Sequence, residues 1–203
     1  MPKETFLNLT QEKKDNLFQA AYKLFINNKY EDVTIRDLVR EANIPIGSFY
    51  RYFEDKDDLY IYMLKLGEKK VYDELVAQKE CTFSPMMLGT ASEELLKRVL
   101  TEAEYKFDAT FSEVPDQLLQ KFYFYEFSKE LEDEYKKNLE KLKEQGKLRE
   151  DIDFEFLLYI YKTSMFNIIM YYREKGITDF EQREKIKNTF FNKIFLHGII
   201  KLI

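Results

Sequence analysis

A chain of 203 residues, 45% hydrophobic and 34% charged, is long enough to bury a substantial core and too apolar to remain disordered. Its formal net charge of −5 argues against indiscriminate binding to polyanions, and a single histidine and a single cysteine leave no parts for a Cys/His metal cluster, for Ser/His or Cys/His catalysis, or for an internal disulfide. No apolar run approaches the roughly 18–20 residues that span a bilayer, and the stretch MPKETFLNLT holds no apolar signal core, so a cytoplasmic, non-enzymatic protein with no cofactor, no metal and no membrane partner is expected.

Four prolines and six glycines are few, and charged positions recur at helical spacing, so the chain reads as all-α with about nine helices. Leu17, Ala20, Ala21, Leu24 and Phe25 follow the i, i+3, i+4, i+7, i+8 pattern of one buried face, which predicts a first helix over about 11–27 with Thr10 as its N-cap. Thr34 and Asp37 stand three apart, the spacing at which a hydroxyl and a carboxylate cap each other's backbone amides, and they open a short second helix, TIRDLVREA. Asn43 follows, a residue type that tolerates left-handed backbone at a helix C-terminus. Pro45 suits the first position of a third helix, because its ring presets φ and its missing N–H would have had no helical partner. Two short helices joined by about three residues make a helix-turn-helix.

On that third helix Ile46, Phe49 and Phe53 share one face, while Gly47 with Arg51 and Ser48 with Tyr52 form i, i+4 pairs on another. The first face is expected to pack on the two preceding helices and the second to be exposed. Small residues at the leading end let the backbone approach a surface closely while Arg51 and the tyrosines reach sideways, which suits insertion into the DNA major groove. The hexapeptide SFYRYF alone reads equally well as an aromatic core helix; the capped helix and the Asn turn that precede it favour the DNA-facing reading. Residues 1–56 carry nine Lys or Arg and nine Asp or Glu, so the negative excess lies downstream.

Beyond the charged EDKDD, the pattern predicts a long helix over about 57–78, then a loop around CTFSP. A fifth helix starts at Pro85 or Ser92 and runs to about Phe107, Pro115 opens a sixth that contains KFYFYEF, and a seventh ends at Gly146. Two long helices close the pattern, over about 153–174 and 179–200. Cys81 is read as a bystander and His197 as a core or interface residue.

The first 60 or so residues resemble the DNA-binding domain of the TetR family of transcriptional regulators, through AAYKLFINNKY, VTIRDLVREANI and IGSFYRYFEDKDDL. Beyond about Leu66 the similarity is one of helix number and length only. The resemblance implies a homodimeric, ligand-responsive transcriptional regulator, a repressor in the simplest case, built as a helix-turn-helix DNA-binding domain over 1–56 and a helical effector-binding and dimerisation domain over 57–203. It further implies that Gly47, Ser48 and Tyr50 touch bases and phosphates, that Lys56 binds a phosphate, and that Arg36 reads a guanine. Thr34 is first a cap, with its backbone amide a candidate phosphate donor, and Ile46 either packs inward or meets a thymine methyl. Pro45, Arg51 and Tyr52 complete the DNA-facing set. Two positions depart from the family pattern: Pro45 replaces a Ser or Thr, and Lys29 replaces a Gly, so the first helix is expected to leave through a left-handed Asn28 or to carry roughly 1 kcal/mol of strain at Lys29.

Two half-sites on a duplex need two copies of the chain. Phe156, Ile160, Ser164 and Ile168 on one late helix, with Phe191, Ile194, Phe195 and Gly198 on the other, are the candidate interface, an intrachain core being the alternative. In KFYFYEF five of seven residues are aromatic, so no face lacks a ring and the helix must be buried or line a cavity. Tyr105, Phe107, Phe111, Phe122, Tyr123, Tyr125 and Tyr159 are therefore the candidate pocket for a small apolar or aromatic effector, with Glu126 placed to face a cationic one; core packing is the alternative. A ligand that tilts the fourth helix would alter the spacing of two recognition helices away from the roughly 34 Å major-groove repeat. Two further readings stay open: a helical small-molecule-binding protein without DNA binding, and a DNA-binding activator with no effector.

Overall fold

The structure, a computed structural model, describes residues 2–77, 93–126, 136–137, 139–140, 143–146 and 148–195. The expected loop at CTFSP with Cys81, the helix start at Pro85 or Ser92, and the positions of His197 and Gly198 lie outside the described residues. The chain divides into two compact units, residues 1–70 with 97–119 and residues 71–96 with 120–203. The first unit thus extends past the boundary expected at 56/57, because Leu59, Tyr60, Ile61, Met63 and Leu64 are all buried.

In the first unit, a single turn α1 (Glu4–Leu7) precedes α2 (Gln11–Asn27), which buries Leu17, Ala20, Ala21, Tyr22 and Phe25. Thr10 caps α2 through its backbone carbonyl, which accepts from the Lys13 and Lys14 amides, and makes no side-chain capping bond. The exit of α2 contains no left-handed residue: Asn28 has φ −137° and Lys29 φ −63°, both extended in ψ. The strain expected at Lys29 is absent because Asn27 and Asn28 turn their side-chain amides back onto the carbonyls of Lys23 (2.7 Å) and Leu24 (2.8 Å), satisfying the helix end without a backbone reversal.

A 3₁₀ turn at Tyr30–Asp32 leads to α3 (Ile35–Glu41), opened by a reciprocal capping box in which Thr34 Oγ1 accepts from the Asp37 amide (3.2 Å) and Asp37 Oδ2 from the Thr34 amide (3.1 Å). Asn43 is left-handed, φ 51°, and lets the Ile44 amide return to the Val39 carbonyl at 3.0 Å. Then comes α4 (Ile46–Tyr52), with Pro45 one position earlier than expected, as N-cap, its carbonyl accepting from the Ser48 amide at 2.8 Å.

The long α5 (Lys56–Ala77) is capped by Asp55, which accepts from the Asp58 amide at 2.7 Å. Where one helix was expected to run to Phe107, the chain forms α6 (Glu93–Val99) and α7 (Glu102–Thr110). The break has a chemical cause, a second capping box formed by Thr101 and Glu104. Helices α2, α5 and α7 meet at a node of rings in which Tyr60, fully buried, lies 5.0 Å from Phe25 and 4.6 Å from Phe107, its hydroxyl sharing a hydrogen bond with Thr110. Residues 116–120 form α8 (Asp116–Gln120), which continues into a π-helical turn, Lys121–Glu126.

In the second unit, α9 (Phe154–Lys175) starts at Asp153, which accepts from the Phe156 amide at 2.6 Å, and ends at left-handed Gly176, φ 63°. After α10 (Phe180–Asn188), capped by Asp179, a π-helical stretch Thr189–Phe195 follows. The Tyr172 hydroxyl donates to the Arg183 carbonyl (2.8 Å) and Arg183 Nε donates to that of Ile177 (2.8 Å), so the reversal between α9 and α10 is bonded from both sides.

Two side chains of α5 yield expected outcomes. Lys56 Nζ donates to the carbonyls of Tyr30 (2.6 Å) and Val33 (2.7 Å) and sits 4.0 Å over the Tyr30 ring, whose hydroxyl donates to Asp57. Replacing Lys56 with Met strands both carbonyls, and urea unfolding should register a loss on the order of 2 kcal/mol. Oxygen Oε2 of Glu68 is buried without a hydrogen-bond partner, and burial, with a smaller like-charge contribution from Asp108 on α7 opposed by Lys65, pushes its carboxyl up to about 8. The folded state then holds a proton that the unfolded state releases, so stability falls as pH rises from about 4.5 to about 8. Glu68→Gln should flatten that slope and overtake the native protein by roughly 5 kcal/mol at high pH; superimposable urea midpoints for the two proteins from pH 5 to 9 would contradict the assignment.

Candidate nucleic-acid interface

Helix α4 turns its two phenylalanines inward and most of its remaining surface outward. Phe49 and Phe53 have no exposure at all, whereas Tyr50 is 48% and Ile46 45% exposed, and Pro45, Gly47 and Arg51 are exposed as well. Ile46 therefore does not share the buried face expected for it. The rings that fix the helix lie in its middle and at its end, and the first turn projects beyond them.

Ser48 departs from expectation in the opposite sense. It is only 7% exposed, and its hydroxyl accepts from Arg51 Nη2 at 3.1 Å, so it steadies the arginine from behind instead of standing on the outer face. Tyr52 is half-buried, with its ring 5.9 Å from Phe6. A Cβ built on Gly47 would meet nothing within 4 Å. Among the described residues no neighbour requires that position to be slim.

On α3, Arg36 is exposed and, among the described residues, pairs with no carboxylate, while Arg40 is held by Asp37 at 2.5 Å. Both cap hydrogen bonds from Thr34, with Arg40 adding to them, hold the Asp37 carboxyl below its ordinary range. The Thr34 hydroxyl and amide are both engaged with Asp37, so the amide expected to meet a phosphate already has an acceptor. Lys56 is likewise turned onto the carbonyls of residues 30 and 33, and its desolvation lowers the ammonium pKa. The outward-facing groups are thus Arg36, Gly47, Tyr50 and the Ser48-steadied Arg51, with Pro45 and Ile46 at the leading end.

The sequence reading missed the segment before α2. Lys3 bonds the end of α4 twice, its amide to the Tyr52 carbonyl and its Nζ to the Tyr50 carbonyl, each at 2.8 Å, and Phe6 is fully buried. A single turn of four residues carries no readable periodicity, and the partners of Lys3 lie on α4, far along the chain.

The residues expected to line an effector pocket are distributed over both units. In the first, Phe107 belongs to the buried node, while Tyr105 and Phe111 are half-buried. Of these three only Phe107 borders the small cavity of that unit, about 10 Å³, which Tyr22, Met63, Leu64, Gly67, Leu100, Glu104 and Asp108 also line. In the second, Phe122 and Tyr123 are buried, whereas Tyr125 is 82% and Tyr159 56% exposed, so the aromatic run is not buried all round: a π-helical turn still leaves one side facing outward. Glu126 ends that turn.

Of the expected dimer face, Phe156 (62%) and Ile194 (61%) are exposed, and Ile160, Ser164 and Ile168 are half-buried. Phe191 and Phe195 instead turn toward Tyr161 of their own chain, at 5.4 and 6.4 Å, and are buried there. Among the described residues no helix is long and apolar enough to cross a membrane, and no group of three or more His, Cys, Asp or Glu side chains converges as a metal site.

Comparison with known proteins matches residues 17–63 to the family of bacterial regulatory proteins described as the tetR family. Over 57 residues the chain is 40% identical to the HTH-type transcriptional regulator HbdR of Aromatoleum sp. (strain CIB), a match covering 28% of this chain and 25% of that protein. The chain thus spans about a quarter of the length of the curated relatives it matches. Among solved structures, SmeT, the repressor of the Stenotrophomonas maltophilia multidrug efflux pump SmeDEF, has a similar fold at TM-score 0.55 and 13% identity, over 96% of this chain and 92% of that one. The fatty acid degradation regulator FadR from Bacillus halodurans does so at TM-score 0.51 and 16% identity, over 91% and 98%. These two likenesses concern the fold. The matched segment contains most of α2, all of α3 and α4 and the start of α5, the elements that build the exposed face just described, and over these residues the chain matches the tetR family of bacterial regulatory proteins.

Proposed function

We propose that the protein is a homodimeric, sequence-specific DNA-binding transcriptional regulator that represses its target and leaves its operator when a small apolar or aromatic ligand binds the C-terminal region. The observation that carries the DNA-binding part is α4 itself: two fully buried phenylalanines behind, and Gly47, Tyr50 and Arg51 exposed in front. A slim, exposed leading turn admits a helix to the major groove, where Arg51 and the Tyr50 hydroxyl reach phosphates and base edges and the exposed Arg36 can take a guanine bidentately.

Dimerisation is supported by Phe156, Tyr159 and Ile194, large apolar side chains more than half exposed within the second unit. Two copies related by a two-fold axis would present two α4 helices to successive major grooves. The effector part rests on the buried Phe122 and Tyr123 and on the nearby Phe124 and Phe166 rings, 5.8 Å apart. Ligand binding there would bias α5, whose residues contribute to both units, between two arrangements with different affinity for the duplex.

Selection of bound duplexes from a random-sequence pool, at fixed salt, tests this reading. A palindromic motif is expected, and retention of all duplexes alike or of none would remove sequence-specific DNA binding from the proposal. Against the selected duplex, Arg36→Ala should relax preference at one base pair per half-site and weaken binding about tenfold, whereas Tyr50→Ala should weaken all sequences similarly. The pair Phe156→Asp and Ile194→Asp should shift sedimentation from dimer to monomer. A compound that raises the melting temperature is expected to lower operator affinity in the same titration.

A further inference from the structure

We propose that Lys3 and Phe6 are positioning residues for the duplex-facing helix: the arm before α2 grips the last turn of α4 and sets the direction in which Tyr50 and Arg51 are presented. The proposal rests on reading α4 as the helix that faces DNA, and it assigns a task to a segment outside the matched family domain.

The last four carbonyls of a helix have no partner within it. In α4 the Phe49 carbonyl is taken by the Phe53 amide at 2.8 Å, and Lys3 supplies donors for two of the others, its amide for Tyr52 and its ammonium for Tyr50. A cation at this end also opposes the negative pole of the helix dipole. The carbonyl that the ammonium holds belongs to the residue whose side chain is half exposed on the outer face, so moving the arm moves Tyr50.

Phe6 makes the grip three-dimensional. Its ring centroid lies 4.7 Å from Phe53 and 5.9 Å from Tyr52 on the α4 side, 5.7 Å from Phe18 of α2 and 5.8 Å from Tyr62 of α5. One ring therefore joins the end of α4 to α2 and α5. The arm is secured in turn by Lys14, whose Nζ donates to the Leu7 carbonyl at 2.8 Å.

The alternative role for a lysine here is a direct phosphate contact, and the two differ in what they change. With the duplex selected by the native protein, Lys3→Ala and Phe6→Leu should each weaken binding about tenfold, leave binding to a scrambled duplex unchanged, and leave the slope of log affinity against log salt intact; Lys3→Arg should restore most of the loss. Equal weakening on both duplexes, with a slope shallower by about 0.9, would make Lys3 a phosphate contact and overturn the proposal. In the DNA-free protein the Phe53 amide should exchange at least severalfold faster in Lys3→Ala and Phe6→Leu while α2 amides keep their rates. Unchanged exchange at Phe53 would equally overturn it. Should the native protein select no duplex, the DNA-binding reading falls by itself, and the exchange result alone decides whether the arm holds α4.

Discussion

Seven residues are too few to keep a helix formed in water, since an isolated helix shorter than about 12–15 residues is marginal. Helix α4 is that short, and it persists because Phe49 and Phe53 are withdrawn from solvent altogether. Each such ring contributes on the order of 2 kcal/mol by its burial. Everything exposed on α4 is oriented by what is hidden beneath it. The bonds around it serve the same end: the Thr34–Asp37 box fixes where α3 begins, left-handed Asn43 fixes how the chain turns, and Lys56 ties the start of α5 to the turn ahead of α3.

Much of this frame was legible because it is written in local chemistry. The periodicity of Leu17 through Phe25 located α2, and the three-residue spacing of Thr34 and Asp37 located α3, since both signals depend only on helical geometry. The same rule, applied to Thr101 and Glu104, would have divided the helix that was expected to run unbroken to Phe107. What local chemistry does not carry is the choice among partners. That Lys56 would meet two carbonyls more than twenty residues earlier, or that Asn27 and Asn28 would close α2 with their side chains, depends on how the chain folds back.

Faces were harder to read than elements. A stripe of apolar residues says that something covers it, and nothing in the spacing says what. Phe191 and Phe195 are covered by Tyr161 of the same chain, while Phe156 and Ile194, from the same pattern, stand in the open. On α4 the i, i+3, i+7 spacing grouped Ile46 with the two phenylalanines and the i, i+4 pairing put Ser48 on the outer face, whereas Ile46 is exposed and Ser48 buried. The aromatic run failed as an all-round signal for a different reason: a π-helical turn redistributes residues around the axis, leaving Tyr125 outward.

Gly47 has the widest implication. A glycine inside a helix forgoes roughly 1 kcal/mol relative to alanine, and here no neighbouring atom stands within 4 Å of where a methyl group would sit. A chain shaped only by its own folding would have no cause to leave that methyl out. On the proposed DNA-binding reading the concession has a use, since it lets the backbone of that turn lie closer to another surface than any side chain would allow.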